Sequence, residues 1–555
     1  MSVLAAAAVL VAVQWRSVAP LFRADEIGNM GNAYLFTHPD STWLLAGNAY
    51  MPGTGLVVAA AWLITSDPTI AYRIAVVMAA LLGLAAIAPL RALAREFGAA
   101  PNVATVTSAL VVVAPSRALA SNYVWGENLL VVCVATALLL VLRLREGPTV
   151  RHAVYLGAVA GAAFLAHGRA LPFSLAVLAV GALLMRRHRR QLCALLGIGA
   201  LTLSISYLLY RYVGSSLYLA DERVSKTLDD ISRIDLVSYA GLAAGQVWYT
   251  VAAWAGLTVI GAAALLARAR REGWRGPASG ATLVLLSVSA TVPLLLSNPE
   301  TVDGRAHVYI YGRYLDAFLV PLAVIGLVAL VRGVRARTGL VVVGLGAVAA
   351  AGAALMLESQ VPASDTSWIV TPGHVPGVAH LMRINPGDAM WPGSWWAVTY
   401  LGLVPAISLA IVARWRGAAL AVVGCWALGL TVYSDAVKFD RFDQDFRVAP
   451  LQVEALGGIN SDTILYGDTD SGHVLANGNE FTYWATPRAF VYMDTSRDTS
   501  EVEIFIAALD SEFAASHDAA PLAGTIVGNS ATWVMPGELR DELEAQGRVM
   551  QRRDG

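Results

Sequence analysis

Apolar runs long enough to cross a bilayer recur through most of this chain, and arginine clusters sit in the gaps between them. A crossing helix takes about 20 residues, and sometimes as few as 17. Basic residues in short connections hold those connections on the cytoplasmic side. The clusters are Arg91 with Arg95, Arg143 with Arg145, Arg186 through Arg190, Arg268 through Arg275, Arg332 through Arg337, and Arg414 with Arg416. Each neighbouring pair brackets enough apolar chain for one excursion out and back, so all six can face the cytosol.

Helices are therefore expected near 73–91, 100–116, 127–143, 152–168, 170–186, 191–212, 239–267, 278–297, 314–331, 338–357, 395–413 and 417–434. With the N-terminal run at 3–14, which lacks the basic start of a signal peptide, this makes about thirteen crossings. Composition agrees. The 555 residues are 57% hydrophobic and 14% charged, with a mean hydropathy of +0.58, whereas soluble domains carry about 25% charged residues. The expected class is a polytopic α-helical protein of the plasma membrane, with a transmembrane domain over 1–434. No basic face is free for nucleic acid. Cys133, Cys193 and Cys425 lie inside apolar runs without metal or disulfide spacing. Heavy use of Ala, Val and Arg fits a GC-rich bacterial genome.

One stretch, LFRADEIGNMGNAYLFTHPDSTWLLAGNAYMPGTG at 21–55, is not apolar enough to span and carries Asp25 and Glu26 directly after the first apolar segment. The helix at 73–91 must run inward to deliver Arg91 to the cytosol, and 53–65 is short enough to lie at the interface. Residues 23–72 then form one extracytoplasmic loop. Carboxylates at a membrane face are costly unless used. One of them can act as a base on a hydroxyl. Its neighbour can orient that hydroxyl, raise the first group's pKa by like-charge repulsion, or help hold a divalent cation, the one cofactor the sequence leaves open. An acidic pair after a helix also serves as a solvated helix end, and spacing alone does not choose.

The same outer side collects further polar groups. Glu127, in NYVWGENLL, suits a ligand contact or a helix N-terminus favoured by the macrodipole. Arg313, in YIYGRYLDAFLVPL, and Arg169, in LAHGRALPF, carry guanidinium forks that match a lipid phosphate. Tyr309, Tyr311 and Tyr314 read equally as an aromatic belt, and Asp316 as a partner for a nearby arginine. His167, beside Arg169, is a weaker candidate. His38 near Asp40 could touch an acceptor or a metal. His374 and His380 lack ligand spacing, and no phosphate loop or nucleophile elbow is present.

After Tyr433 the chain turns polar. Strand-like runs TILYGD, AFVYMDT and GTIVGN alternate with helical patterns near 444–457, 500–515 and 537–550. Residues 435–555 are expected to form a small extracytoplasmic α/β domain with a largely parallel sheet.

The acidic pair opening a long first outer loop, the AYMPGTG segment before an interfacial helix, DPTIAYR leading into the next span and the late RY pair together resemble the glycosyltransferase C (GT-C) superfamily. Its members include protein O-mannosyltransferases, aminoarabinose transferases and arabinofuranosyltransferases. The layout covers roughly 1–330. The resemblance implies a hexosyl or pentosyl transferase using a polyprenyl-phosphate sugar donor and a cell-envelope glycan, lipid or protein acceptor. It implies Asp25 as the base, with Glu26 as the alternative. Glu127 would be the second-loop acid near a sugar, and Arg313 with Tyr314, and Arg169, would meet the donor phosphate. The alternative class is a transporter or flippase of lipid-linked saccharides, although transporters place their functional charges at mid-membrane.

Overall fold

The computed structural model describes residues 2–15, 17–20, 23–41, 43–219, 232–298, 306–333, 336–360, 375–378, 383–384, 390–391, 399, 408, 411, 415–442, 450–494 and 499–550. His374, His380 and most of 395–413 lie outside them. Among the described residues, seven helices are long and apolar enough to cross a membrane: Pro68–Glu96, Gly126–Glu146, Gly168–Met185, Arg189–Leu217, Pro277–Leu294, Arg313–Val331 and Val341–Ser359. The bent pair Leu236–Ala252 and Leu257–Glu272 makes an eighth if counted as one span. Shorter apolar helices include Ser2–Gln14, Pro101–Val112, Val150–Ala166 and Gly417–Tyr433. The protein is a multi-pass helical membrane protein, and these spans do not by themselves fix the expected thirteen crossings.

The chain divides into two compact units, one formed by 1–17, 76–209 and 223–442 and the other by 18–75, 210–222 and 443–555. In the first unit the helices start where proline fits the first turn, at Pro101, Pro115 and Pro277. The innermost spans are Arg313–Val331 and Gly126–Glu146, 83% and 78% buried within the protein, whereas Arg189–Leu217 is only 17% buried. Helices approach closely through glycine. A Cβ at Gly261 would strike the Leu322 carbonyl, and one at Gly326 the Leu257 carbonyl. This is the small-residue contact that lipid-embedded helices use in place of a hydrophobic drive.

The run expected as one helix at 239–267 is broken. Leu236–Ala252 and Leu257–Glu272 meet at 99°, and the corner takes Ala255 to φ +48° and Gly256 to φ +71°. An alanine at positive φ is strained. Its neighbour Trp254 is completely buried at the corner.

Four of the six arginine clusters meet in one layer of this unit. Arg143 Nε lies 3.2 Å from Glu96 Oε1 and Arg268 Nε 2.7 Å from Glu272 Oε1. Arg268 Nη1 donates to the Glu96 carbonyl at 3.0 Å, and Arg332 Nη1 to that of Phe97 at 2.6 Å. Gly126–Arg143 therefore has Glu127 at one end and this layer at the other, about 24 Å away at 1.5 Å per residue.

In the second unit, β1 (Leu465–Asp468), β2 (Phe490–Met493), β3 (Ile504–Ala508), β4 (Ala520–Pro521) and β5 (Ser530–Val534) form one sheet in the order β2-β1-β3-β5-β4. The pairs β1·β2 and β1·β3 are parallel, while β3·β5 and β4·β5 are antiparallel. The sheet is thus mixed rather than largely parallel. Two sequence expectations change here. IFIAA, inside the helical pattern near 500–515, is the strand β3, and GTIVGN makes turns. β3 is covered on both faces, Ile504 and Ile506 on one and Phe505 and Ala507 on the other. It therefore reads as a continuous apolar run in which the strand period is hidden.

The polar N-terminal stretch packs with this domain as one unit. Asn479, on the Gly472–Ala485 helix, pairs with the Ala46 backbone, Oδ1 accepting from the amide at 2.7 Å and Nδ2 donating to the carbonyl at 3.1 Å. Tyr483 donates to the Pro68 carbonyl at 2.6 Å. Around these bonds Trp43 and Trp62 pack edge-on against the Tyr483 ring. Asn479→Ala removes both bonds to Ala46. At about 0.5–1.5 kcal/mol per bond, the expected result is a lower melting temperature of the purified protein and faster protease cleavage within 43–52. Wild-type cleavage kinetics in that segment would show that the pairing does not hold it.

Candidate active site

The acidic pair opens a helix, Arg23–Thr37, in place of the expected loop, so both carboxylates lie in its first turn, where the macrodipole favours them. Adjacent positions on a helix point about 100° apart, and the two groups diverge. Asp25 is half-buried, and its Oδ1 accepts the Tyr50 hydroxyl at 2.6 Å. Glu26 is completely buried, and its Oε1 accepts the Tyr72 hydroxyl at 2.6 Å. The Asn29 side chain donates back to the Asp25 carbonyl at 2.9 Å. Gly28 is required beneath them, since a Cβ there would run into the Tyr50 ring. Burial first, and then the nearby Glu26 and Asp67, push the Tyr483 phenol well above its ordinary range, so it stays a neutral donor.

His38 does not join this pair. It follows the last turn of the same helix, about 20 Å from Asp25 by helical rise. There it is exposed, stacks on Tyr34 at 4.2 Å and shares a 2.8 Å hydrogen bond with Thr37 Oγ1. Asp40 is exposed beside it.

In the first unit the other candidates do meet. Gly126 sits so close to the Ala166 carbonyl that a Cβ would overlap it. That approach sets the first turn of Gly126–Arg143 against the turn at His167 and Arg169. Glu127 Oε1 lies 2.6 Å from Arg313 Nε and 3.6 Å from His167 Nε2. The Arg313 guanidinium rests 4.0 Å above the Trp125 ring, and Trp125 is stacked on Tyr123 at 4.0 Å. The Arg169 guanidinium lies 3.2 Å from the Tyr314 centroid, with Tyr314 stacked on Tyr311 at 3.9 Å. Glu127 and Arg313 are buried, whereas Arg169 is half-exposed and makes no ion pair among the described residues.

Asp316 interacts electrostatically with Arg117, without a contact ion pair among the described residues. It accepts the Tyr249 hydroxyl at 2.8 Å and the Trp254 indole N–H at 3.1 Å. The strained corner of the broken span therefore delivers Trp254 to the Arg313 helix. Gly312 allows the approach, because a Cβ there would enter the Tyr249 ring. Arg117 was missed by sequence reading. It is 2% exposed, donates through Nη2 to Asn128 Oδ1 at 2.8 Å, and has an Nη1 that makes no hydrogen bond among the described residues. Its signal was an arginine isolated from the clusters, in a connection assigned to the opposite side. Among the described residues no three His, Cys, Asp or Glu side chains converge as metal ligands.

The chain shares its fold with proteins of known structure. Two solved structures share it over nearly their whole length: ArnT from Cupriavidus metallidurans bound to undecaprenyl phosphate, and the same protein in the apo state. The first matches at a TM-score of 0.57 and 16% identity over 97% of this chain and 98% of that one. The second matches at 0.54 and 17% identity over 96% and 97%. No family model and no curated protein sequence matches the chain.

Proposed function

We propose that the protein is an inverting membrane glycosyltransferase that moves a sugar from a polyprenyl-phosphate donor to an acceptor of the cell envelope on the extracytoplasmic side. The observation that carries this reading is the end-to-end likeness to a structure holding undecaprenyl phosphate, joined to arginines on aromatic platforms at one end of the central spans. A sugar on phosphate has a good leaving group, so no acid is needed to expel it. The acceptor oxygen attacks the anomeric carbon through an oxocarbenium-like transition state. The carbon–oxygen bond to phosphate breaks with both electrons, and Asp25 takes the acceptor's proton.

The two arginines have different roles in this reading. Arg313 is already engaged by Glu127 at 2.6 Å, so it holds the local framework and a sugar-facing carboxylate. Arg169, half-exposed over Tyr314, has donors to offer a phosphate, and its ring platform limits the rotamer entropy lost on binding.

The test uses purified protein in nanodiscs with polyprenyl-phosphate pentose and hexose donors, following sugar consumption and product by mass spectrometry, with and without a chelator to read out divalent-cation use. Arg169→Gln is expected to raise the KM for the donor about 10- to 100-fold, as expected for the loss of a hydrogen bond to a charged group, with a smaller change in kcat. Movement of intact lipid-linked saccharide across the bilayer with no transfer would replace this reading by a transporter.

A further inference from the structure

The arginine layer at the far end of the central spans contains two clefts that the proposed reaction does not use. The first, about 420 Å³, is lined by Ala88, Arg91, Ala92, Arg95, Glu96 and Arg143. The second, about 430 Å³, is lined among others by Arg145, Arg271, Glu272 and Arg275. Each presents three guanidinium groups against one carboxylate.

Each carboxylate is already paired with one arginine of its own cleft, Glu96 with Arg143 and Glu272 with Arg145 at 3.9 Å, which leaves two guanidinium groups in each. Glu96 holds Arg143 at 3.2 Å. Glu272 holds Arg268 at 2.7 Å and accepts the Ala278 amide at 2.9 Å. Arg91 and Arg95, four residues apart on one exposed helix face, make no ion pair among the described residues, and neither do Arg271 and Arg275. On the Arg91–Arg95 helix like charges at that spacing repel and destabilise it, while Arg275 lies just past the end of its helix at Glu272. An anion held between them would offset that repulsion.

The setting narrows the anion's class. The clefts lie at the ends of apolar spans, and Ala88 and Ala92 give the first an apolar wall beside its cationic one. Trp274, next to Arg275, is 97% exposed. A fully exposed indole in a loop joining two spans belongs at the headgroup level of a bilayer. We propose that these clefts bind the phosphodiester headgroup of an anionic phospholipid from the leaflet that meets the arginine layer. Guanidinium forks match phosphate oxygens, and the apolar wall takes the first methylenes of the lipid tails. Basic pockets between spans are the established physical form of such sites.

The experiment is native mass spectrometry of the full-length protein released from nanodiscs containing phosphatidylglycerol and phosphatidylcholine of matched chains. Wild type is expected to retain phosphatidylglycerol preferentially. Arg91→Gln with Arg95→Gln should cut that retention about tenfold and leave phosphatidylcholine unchanged, while Arg91→Lys with Arg95→Lys should keep most of it. Equal retention by wild type and the Gln variant would overturn the proposal. Displacement of phosphatidylglycerol by an equal concentration of inorganic phosphate would also overturn it, by assigning the clefts to a soluble anion. Melting of each variant in pure phosphatidylcholine nanodiscs separates lost binding from lost folding.

Discussion

Asp25→Asn is expected to slow glycosyl transfer by about 10²–10⁴-fold, the contribution of a positioned general base, while the protein inserts and melts like wild type. The amide is the same size as the carboxylate and can still accept the Tyr50 hydroxyl now bound at 2.6 Å, so the local structure loses little. What it cannot do is take a proton from an acceptor hydroxyl. Glu26 is the weaker candidate for the same task. It is completely buried, and the Tyr72 hydroxyl already donates to it at 2.6 Å. Glu26→Ala should therefore be read out first as lost yield and a lower melting temperature, from the lost Tyr72–Glu26 hydrogen bond and the cavity left behind. Rates are to be measured on purified variants at saturating donor, so that a kcat effect is seen apart from binding. An Asp25→Asn enzyme within tenfold of wild type would remove Asp25 from the base role.

How much of this was legible depends on whether neighbours in sequence or neighbours in space carried the signal. The spans and the arginine layer could be read because each follows from local composition, and four clusters predicted to share a side do meet. Glu127, Arg313, Arg169 and Tyr314 could be named because charge beside aromatic residues at a helix end is unusual within one short window. Their pairing could not be read, since Glu127 and Arg313 are 186 residues apart. Arg117, Tyr249 and Trp254 were missed for a related reason. Each looks like ordinary filling in its own helix; Tyr249 and Trp254 reach Asp316 through the strained corner at Ala255 and the clearance at Gly312, while Arg117 meets Asn128 across the turn at 121–125. The same limit hid β3, whose two buried faces erase the alternation that marks a strand.

The Glu127–Arg313 pair should give the largest stability effect of any single site. Both groups are buried, at 2% and 6% exposed, and they are held at 2.6 Å. Removing one partner of such a pair costs about 3–5 kcal/mol, because the other is left as an uncompensated charge in a low-dielectric interior. The two single variants should differ. In Glu127→Gln the Arg313 cation keeps the Trp125 face at 4.0 Å, worth up to about 2 kcal/mol when desolvated, and the new amide oxygen still accepts from its Nε. In Arg313→Leu the buried carboxylate loses its 2.6 Å partner, with His167 at 3.6 Å, so this variant is expected to be the less stable. The double variant Glu127→Gln with Arg313→Leu leaves neither charge buried and should recover much of the loss. Melting of the four proteins in one detergent closes a double-mutant cycle, with an expected coupling above about 2 kcal/mol. Additive losses would mean that the two charges are each stabilised by other groups, and that their contact is not what holds the first turns of the two central helices together.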